Sequence, residues 1–197
     1  MFKPLTIAAK TAIKRNKMST PTRQVLRVER EVASRREPWH PWLDYGCGRG
    51  DDVRFLRAEL NGYEHLAFRD DGWLIDGYDP GFGRDDRRFG CGYDVVTCTY
   101  VLNVIESEVE RIPVIQDVVQ HLSRGGVAYF SVRTDVKKDG VTRAQTYQTN
   151  YTPERLQATL QVALDLRDDS DKRRYNVALL QSDRPSSYAI AVVHRTA

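Results

Sequence analysis

A chain of 197 residues with net charge +3, 41% hydrophobic and 29% charged, can bury a core as one domain and has the profile of a soluble globular protein. No run of about 18 apolar residues occurs, which argues against a helical membrane span, and the opening "MFKPLTIAAKTAIKRNK" is too broken by lysine for a secretory leader. Three cysteines (Cys47, Cys91, Cys98) without C-x-x-C spacing, and four histidines (His40, His65, His121, His194) without metal spacing, suggest no disulfide framework and no metal site, so the expected compartment is the cytoplasm.

The charge is uneven. Residues 1 to 40 carry ten Lys or Arg against three Glu, a net of +7, leaving −4 for residues 41 to 197. This divides the chain into a basic N-terminal arm with a helix (1–40) and a mildly acidic domain (41–197). The arm is read two ways, as a nucleic-acid contact through Lys10, Lys14, Arg15 and Lys17, or as a lid. Thr20-Pro21 supplies an N-cap and a first-turn proline, and Val25, Val28 and Val32 predict a helix over residues 21 to 36.

From Trp42 the chain alternates. Trp42 to Tyr45 reads as a buried strand stopped by glycines, and Asp51 or Asp52 caps a helix carrying Val53, Leu56 and Leu60 on one face. "WLIDGYDP" is a second strand ended by proline, and "GFGRDDRRFGCG" reads as a loop. "YDVVTCTYVLNVI" is the strongest strand pattern, followed by a helix with Val109, Ile112, Ile115, Val119 and Leu122. Gly125-Gly126 are expected to close that helix, and Pro113 to bend or restart it. "VAYFSVRTD" is a further strand, with a polar stretch from Asp135 to Asn150. A helix then begins at Thr152-Pro153, and "YNVALLQ" and "SYAIAVVHR" form a closing pair of strands. This order predicts an α/β fold: a Rossmann-like, doubly wound, mostly parallel sheet with an antiparallel C-terminal hairpin, preceded by an N-terminal helical extension.

The turn "LDYGCGRGDD" has glycines at alternate positions 46, 48 and 50. A dinucleotide fingerprint G-x-G-x-x-G fails in both registers, because the sixth position is Asp51 or Val53. A phosphate loop fails for want of Gly-Lys-Ser/Thr. The turn instead resembles the first motif of class I S-adenosylmethionine-dependent methyltransferases, acidic-x-G-x-G-x-G. That donor carries no phosphate, and its cationic amino and sulfonium groups tolerate nearby carboxylates. The resemblance implies S-adenosylmethionine as cofactor, cradled by Gly46, Cys47, Gly48 and Gly50. Asp44 would orient the turn or the amino group, and Asp79, beside Pro80 at the end of the second strand, would hold the ribose. Cys98 and Thr99 would flank the methionine, although Cys98 also reads as a small core side chain. Asp85 or Asp86 would serve the adenine, and Arg49 either the methionine carboxylate or solvent.

In the resemblance, Tyr100 within the "YDVVTCTYVLNVI" segment and Asn103, one helical turn away, are the candidate catalytic residues facing the acceptor. Neither a Pro-Pro-aromatic segment nor a Pro-Cys nucleophile is present, which demotes amino-group and cytosine-C5 methylation. The lead-in "KTAIKRNKMSTPTRQVL" with "DYGCGRGDDVRFL", "GYDP" and "YVLNVIE" is similar to methyltransferases associated with DNA phosphorothioation systems. That similarity implies methylation of DNA or another nucleic acid in a DNA-modification or phage context. The alternatives are a small-molecule or protein methyltransferase, and a non-catalytic binding module of the same fold.

Overall fold

The computed structural model describes residues 14–33, 40–61, 73–87, 92–143, 145–167 and 174–196. In chain order the elements are α1 (Thr20–Ala33), β1 (His40–Tyr45), α2 (Asp51–Asn61), β2 (Trp73–Asp79), β3 (Arg84–Asp85) and β4 (Tyr93–Thr99). A short 3₁₀ turn (Leu102–Val104), α3 (Glu108–Gln120), β5 (Leu122–Arg133), β6 (Gly140–Val141) and β7 (Tyr147–Gln148) follow. The last three are α4 (Pro153–Asp165), β8 (Tyr175–Leu180) and β9 (Tyr188–Arg195).

Seven strands form one sheet in the order β3-β2-β1-β4-β5-β9-β8, with β6 and β7 in a separate hairpin. β2, β1, β4 and β5 run parallel, whereas β9 pairs antiparallel with both β5 and β8. The expected doubly wound sheet with its C-terminal hairpin is therefore present, with β9 inserted between β5 and β8.

Successive strand side chains point to opposite faces, so each face has its own core. On one, Trp42, Val95, Tyr129 and Ile190 pack with Val25 and Leu26 of α1 and Val53 and Leu56 of α2. On the other, Leu43, Val96, Phe130 and Ala191 pack with Ile115 and Val119 of α3 and Leu156 and Leu160 of α4. Burying Val25 and Leu26 stabilises the docking of α1 by about 2 kcal/mol each.

Several boundaries differ from the sequence reading. Ser19, one residue before the expected Thr20, caps α1: its Oγ accepts from Thr22 N at 3.4 Å. α1 ends at Ala33, and residues 34–36 of the expected helix lie outside the described residues. The fourth strand stops at Thr99, because Tyr100 turns to φ 61 and the chain enters the 3₁₀ turn. Gly125-Gly126 do not close α3. They lie inside β5, where the register shifts opposite Tyr93 and Val95. Gly125 adopts φ 77, and a Cβ on Gly126 would meet Tyr93 O at 2.7 Å, so this irregularity requires both glycines. Pro113 sits within α3 without ending it. The loop after β2 contains the short antiparallel strand β3, and the polar stretch before α4 contains the β6–β7 hairpin. α4 begins as expected, with Thr152 Oγ1 accepting from Arg155 N at 3.1 Å.

Candidate functional site

A crevice of about 470 Å³ opens at the carboxyl ends of β1, β2 and β4, where ligands bind in open parallel sheets. Its floor is the turn after β1. Gly46, Gly48 and Gly50 all have positive φ (74°, 56° and 73°), a conformation glycine adopts without steric penalty. At Gly46 a Cβ would lie 2.3 Å from Val101 Cγ2, so the β4 loop closes directly onto the turn.

Asp79 joins this turn to the next one. Its Oδ2 accepts from Gly48 N at 2.8 Å, and its Oδ1 accepts from Gly81 N and Phe82 N at 2.9 and 3.1 Å. A carboxylate offers about four lone-pair positions. Three are filled by backbone N–H groups, and Asp79 lines the crevice.

Asp44 lies below the floor rather than on the crevice wall. It is buried, and Thr97 Oγ1 donates to its Oδ1 at 3.0 Å while accepting from Trp42 Nε1 at 3.0 Å. Burial, reinforced by the nearby Asp52 carboxylate, raises its pKa to about 8. Asp44 is thus held neutral through the lower pH range, tied to β4 through Thr97.

The N-terminal segment is fastened over this floor. Arg15 N donates to Asp51 Oδ2 at 2.7 Å, Ser19 N to Asp52 Oδ1 at 2.8 Å, and Thr22 Oγ1 to Asp52 Oδ2 at 3.1 Å. Arg15 also lies 3.6 Å from Asp52 and lines the crevice. The two aspartates begin α2, where negative charge favours the positive end of the helix dipole.

Across the crevice, Tyr100 is half-buried against the α1-side core, and burial pushes its phenol up to about 12. Asn103 is buried on the wall, with Nδ2 donating to Gln148 Oε1 at 2.8 Å. Arg133 and Asp135 form a two-bonded ion pair at the rim, at 2.8 and 2.7 Å.

The structure brings together Gly46, Cys47, Gly48, Asp79, Pro80, Thr99, Tyr100, Asn103, Arg15 and Arg49 around one opening. Asp44, Gly50 and Cys98 stand behind its wall, and burial raises the Cys98 thiol. Asp85 and Asp86 lie outside the wall and are engaged by Arg87 and by Arg84 with Arg57. Lys14 and Lys17 are exposed on the arm, and Lys10 falls outside the described residues. Sequence reasoning missed Asp51 and Asp52 as anchors of the arm, and Arg133, Asp135 and Gln148 on the wall. "VRTD" carried a signal, since it ends the next parallel strand on the ligand-bearing edge. Gln148 carried none.

Among the described residues no group of three or more His, Cys, Asp or Glu is placed to hold a metal ion, and no helix is long and apolar enough to cross a membrane.

Sheet order, glycine turn and crevice together define the architecture of class I S-adenosylmethionine-dependent methyltransferases. No family model matches the sequence, and no curated protein matches it significantly. Solved structures match the fold. An S-adenosylmethionine-dependent methyltransferase from Clostridium acetobutylicum aligns at TM-score 0.56 and 12% identity, over 92% of this chain and 94% of that one. A 1,6-didemethyltoxoflavin-N1-methyltransferase from Burkholderia thailandensis aligns at 0.57 and 13%, over 90% and 79%. An amino pentose methyltransferase from Micromonospora echinaspora aligns at 0.55 and 15%, over 90% and 92%. At such identities the likeness establishes the fold.

Proposed function

We propose that the chain is an S-adenosylmethionine-dependent methyltransferase. The observation that carries this reading is Asp79: a buried carboxylate at the tip of β2 that is locked to the glycine turn and lines the crevice. Two of the structural neighbours contain this donor or its product: the Burkholderia enzyme holds S-adenosylhomocysteine, and the Micromonospora enzyme holds S-adenosylmethionine.

When bound, the donor supplies a methyl group activated on a sulfonium. Asp79 would accept a ribose hydroxyl, while Gly46, Cys47 and Gly48 permit close approach of the methionine portion. Pro80 and Thr99 shape its sides, and Arg15 and Arg49 suit its carboxylate. Gly50 keeps the turn tight, and Cys98 packs behind it. The protein's remaining task is to align the acceptor and exclude water. Tyr100 and Asn103 face that half of the crevice, and residues 1–40 would serve as the lid.

For the acceptor, the basic arm supports a nucleic acid, and the DNA-modification setting rests on the resemblance alone. Within the described residues Arg15, Arg27 and Arg30 are paired with Asp52, Asp183 and Glu59, which leaves Lys14, Lys17 and the exposed Arg23 to meet phosphates. That pairing favours the second reading, a small-molecule acceptor with the arm as lid only.

Calorimetric titration with S-adenosylmethionine and S-adenosylhomocysteine tests the donor, and absence of saturable heat for both would overturn it. Titration of a DNA duplex against salt tests the acceptor. A phosphate-reading arm gives a steep log–log slope, and a flat response removes DNA.

A further inference from the structure

We infer that the crevice takes a methyl acceptor presenting an N–H or O–H to Asn103 Oδ1, and that Gln148 sets this polarity; the inference rests on the donor reading above. Asn103 is 1% exposed, and its Oδ1 has no hydrogen-bond partner. Arg111 Nη1, Ser131 Oγ, Tyr151 OH and Arg195 Nε also lack one, but none of those residues lines the crevice, whereas Asn103 does. Buried polar atoms are almost always paired, so an orphan at a binding wall points to the missing ligand atom.

The side chain is held against turning. Asn103 Nδ2 donates to Gln148 Oε1, while the main chain is fixed by Thr149 N donating to the Asn103 backbone carbonyl at 2.8 Å. The buried Arg111 guanidinium donates to Ile105 O at 2.8 Å and to Thr149 Oγ1 at 2.6 Å, fastening the β4 loop to the segment after β7. Gln148 takes one N–H of the Asn103 amide, and the side-chain atom left wholly without a partner is the acceptor Oδ1. Val101, Val104, Ile105 and Val114 line the same wall. This combination suits a largely apolar acceptor with one amino or hydroxyl group, and it disfavours one presenting a carbonyl or carboxylate there.

Aniline, phenol, toluene and acetophenone are ring-matched probes that differ in this group. Each is titrated into protein saturated with S-adenosylhomocysteine, following the side-chain amide resonances of Asn103 and Gln148. Aniline and phenol are expected to bind about tenfold more tightly than toluene and acetophenone, and Asn103→Leu to abolish the difference. Gln148→Ala, which frees the Asn103 amide to rotate, should let acetophenone approach aniline in affinity. Equal binding of all four to the wild type overturns the inference, as does preference for acetophenone. So does a complete response of Asn103 to S-adenosylhomocysteine alone, because the donor's own amino group would then occupy Oδ1. If S-adenosylhomocysteine does not bind, the donor reading fails separately, and the same comparison on the free protein decides the polarity of the wall.

Discussion

Gly48 donates its backbone N–H to Asp79 Oδ2 at 2.8 Å, so the turns after β1 and β2 form one clasped unit. The residue expected to grip a ribose also holds the floor in shape, and its loss would act on both.

Asp79→Ala therefore should lower stability by about 2–3 kcal/mol, because three backbone N–H groups lose a charged acceptor. Asp79→Asn is the more specific probe: one oxygen can still accept, but an amide N–H₂ is set against a backbone donor. Urea melts should show the larger loss for Ala, while calorimetry shows both variants at least tenfold weaker for S-adenosylmethionine.

Gly46 and Gly83 share a left-handed backbone, at φ 74 and 63, but differ in space: Val101 crowds the first and nothing lies within 4 Å of the second. Gly83→Ala should cost about 1–2 kcal/mol for the conformation alone. Gly46→Ala adds the clash and should cost about 2–4 kcal/mol. Adding Val101→Ala should recover only that difference, as read from denaturant midpoints.

Asp44 carries a folded pKa of about 8 against an ordinary 3.8, chiefly through burial. Between these values the unfolded chain has released this proton and the folded chain retains it, so the group's contribution falls as pH rises from about 4 to 8 and then levels. Asp44→Asn should remove this slope, leaving the variant more resistant to urea at pH 8 relative to wild type than at pH 4. Asp52→Asn should shift the midpoint of the slope downward, because Asp52 is the second cause of the elevation.

Asp52 also accepts from Ser19 N and Thr22 Oγ1. Asp52→Ala should release the segment around Arg15 to Ser19, and limited proteolysis should cut there faster while the sheet, followed by hydrogen exchange, stays protected. Equal cleavage of variant and wild type would show that α1 docking alone retains the segment.

The strands and the glycine turn were legible because β-branched runs, alternate glycines and proline stops are local signals. β8, β9 and α4 fell where periodicity and the Thr152 cap placed them. β3 was not legible: Arg84 and Asp85 are two charged residues with no pattern, and they pair with the edge that Tyr78 and Asp79 present. Gly125-Gly126 mimicked a helix stop because a C-cap and a bulge require the same backbone freedom. In the site, the glycine turn stood out by its spacing and Asp79 only through the family resemblance, and the links that shape it join residues 31 to 45 positions apart: Gly48 to Asp79, Ser19 to Asp52 and Asn103 to Gln148. Such pairs leave no periodic trace.

Gln24 on α1 donates to Gln181 O at 2.6 Å and accepts from Asp183 N and Tyr188 OH. These partners are translated more than 150 residues after it. A nascent chain would therefore carry α1 without these anchors until the β8–β9 hairpin has left the ribosome, so the seating of α1 is completed late.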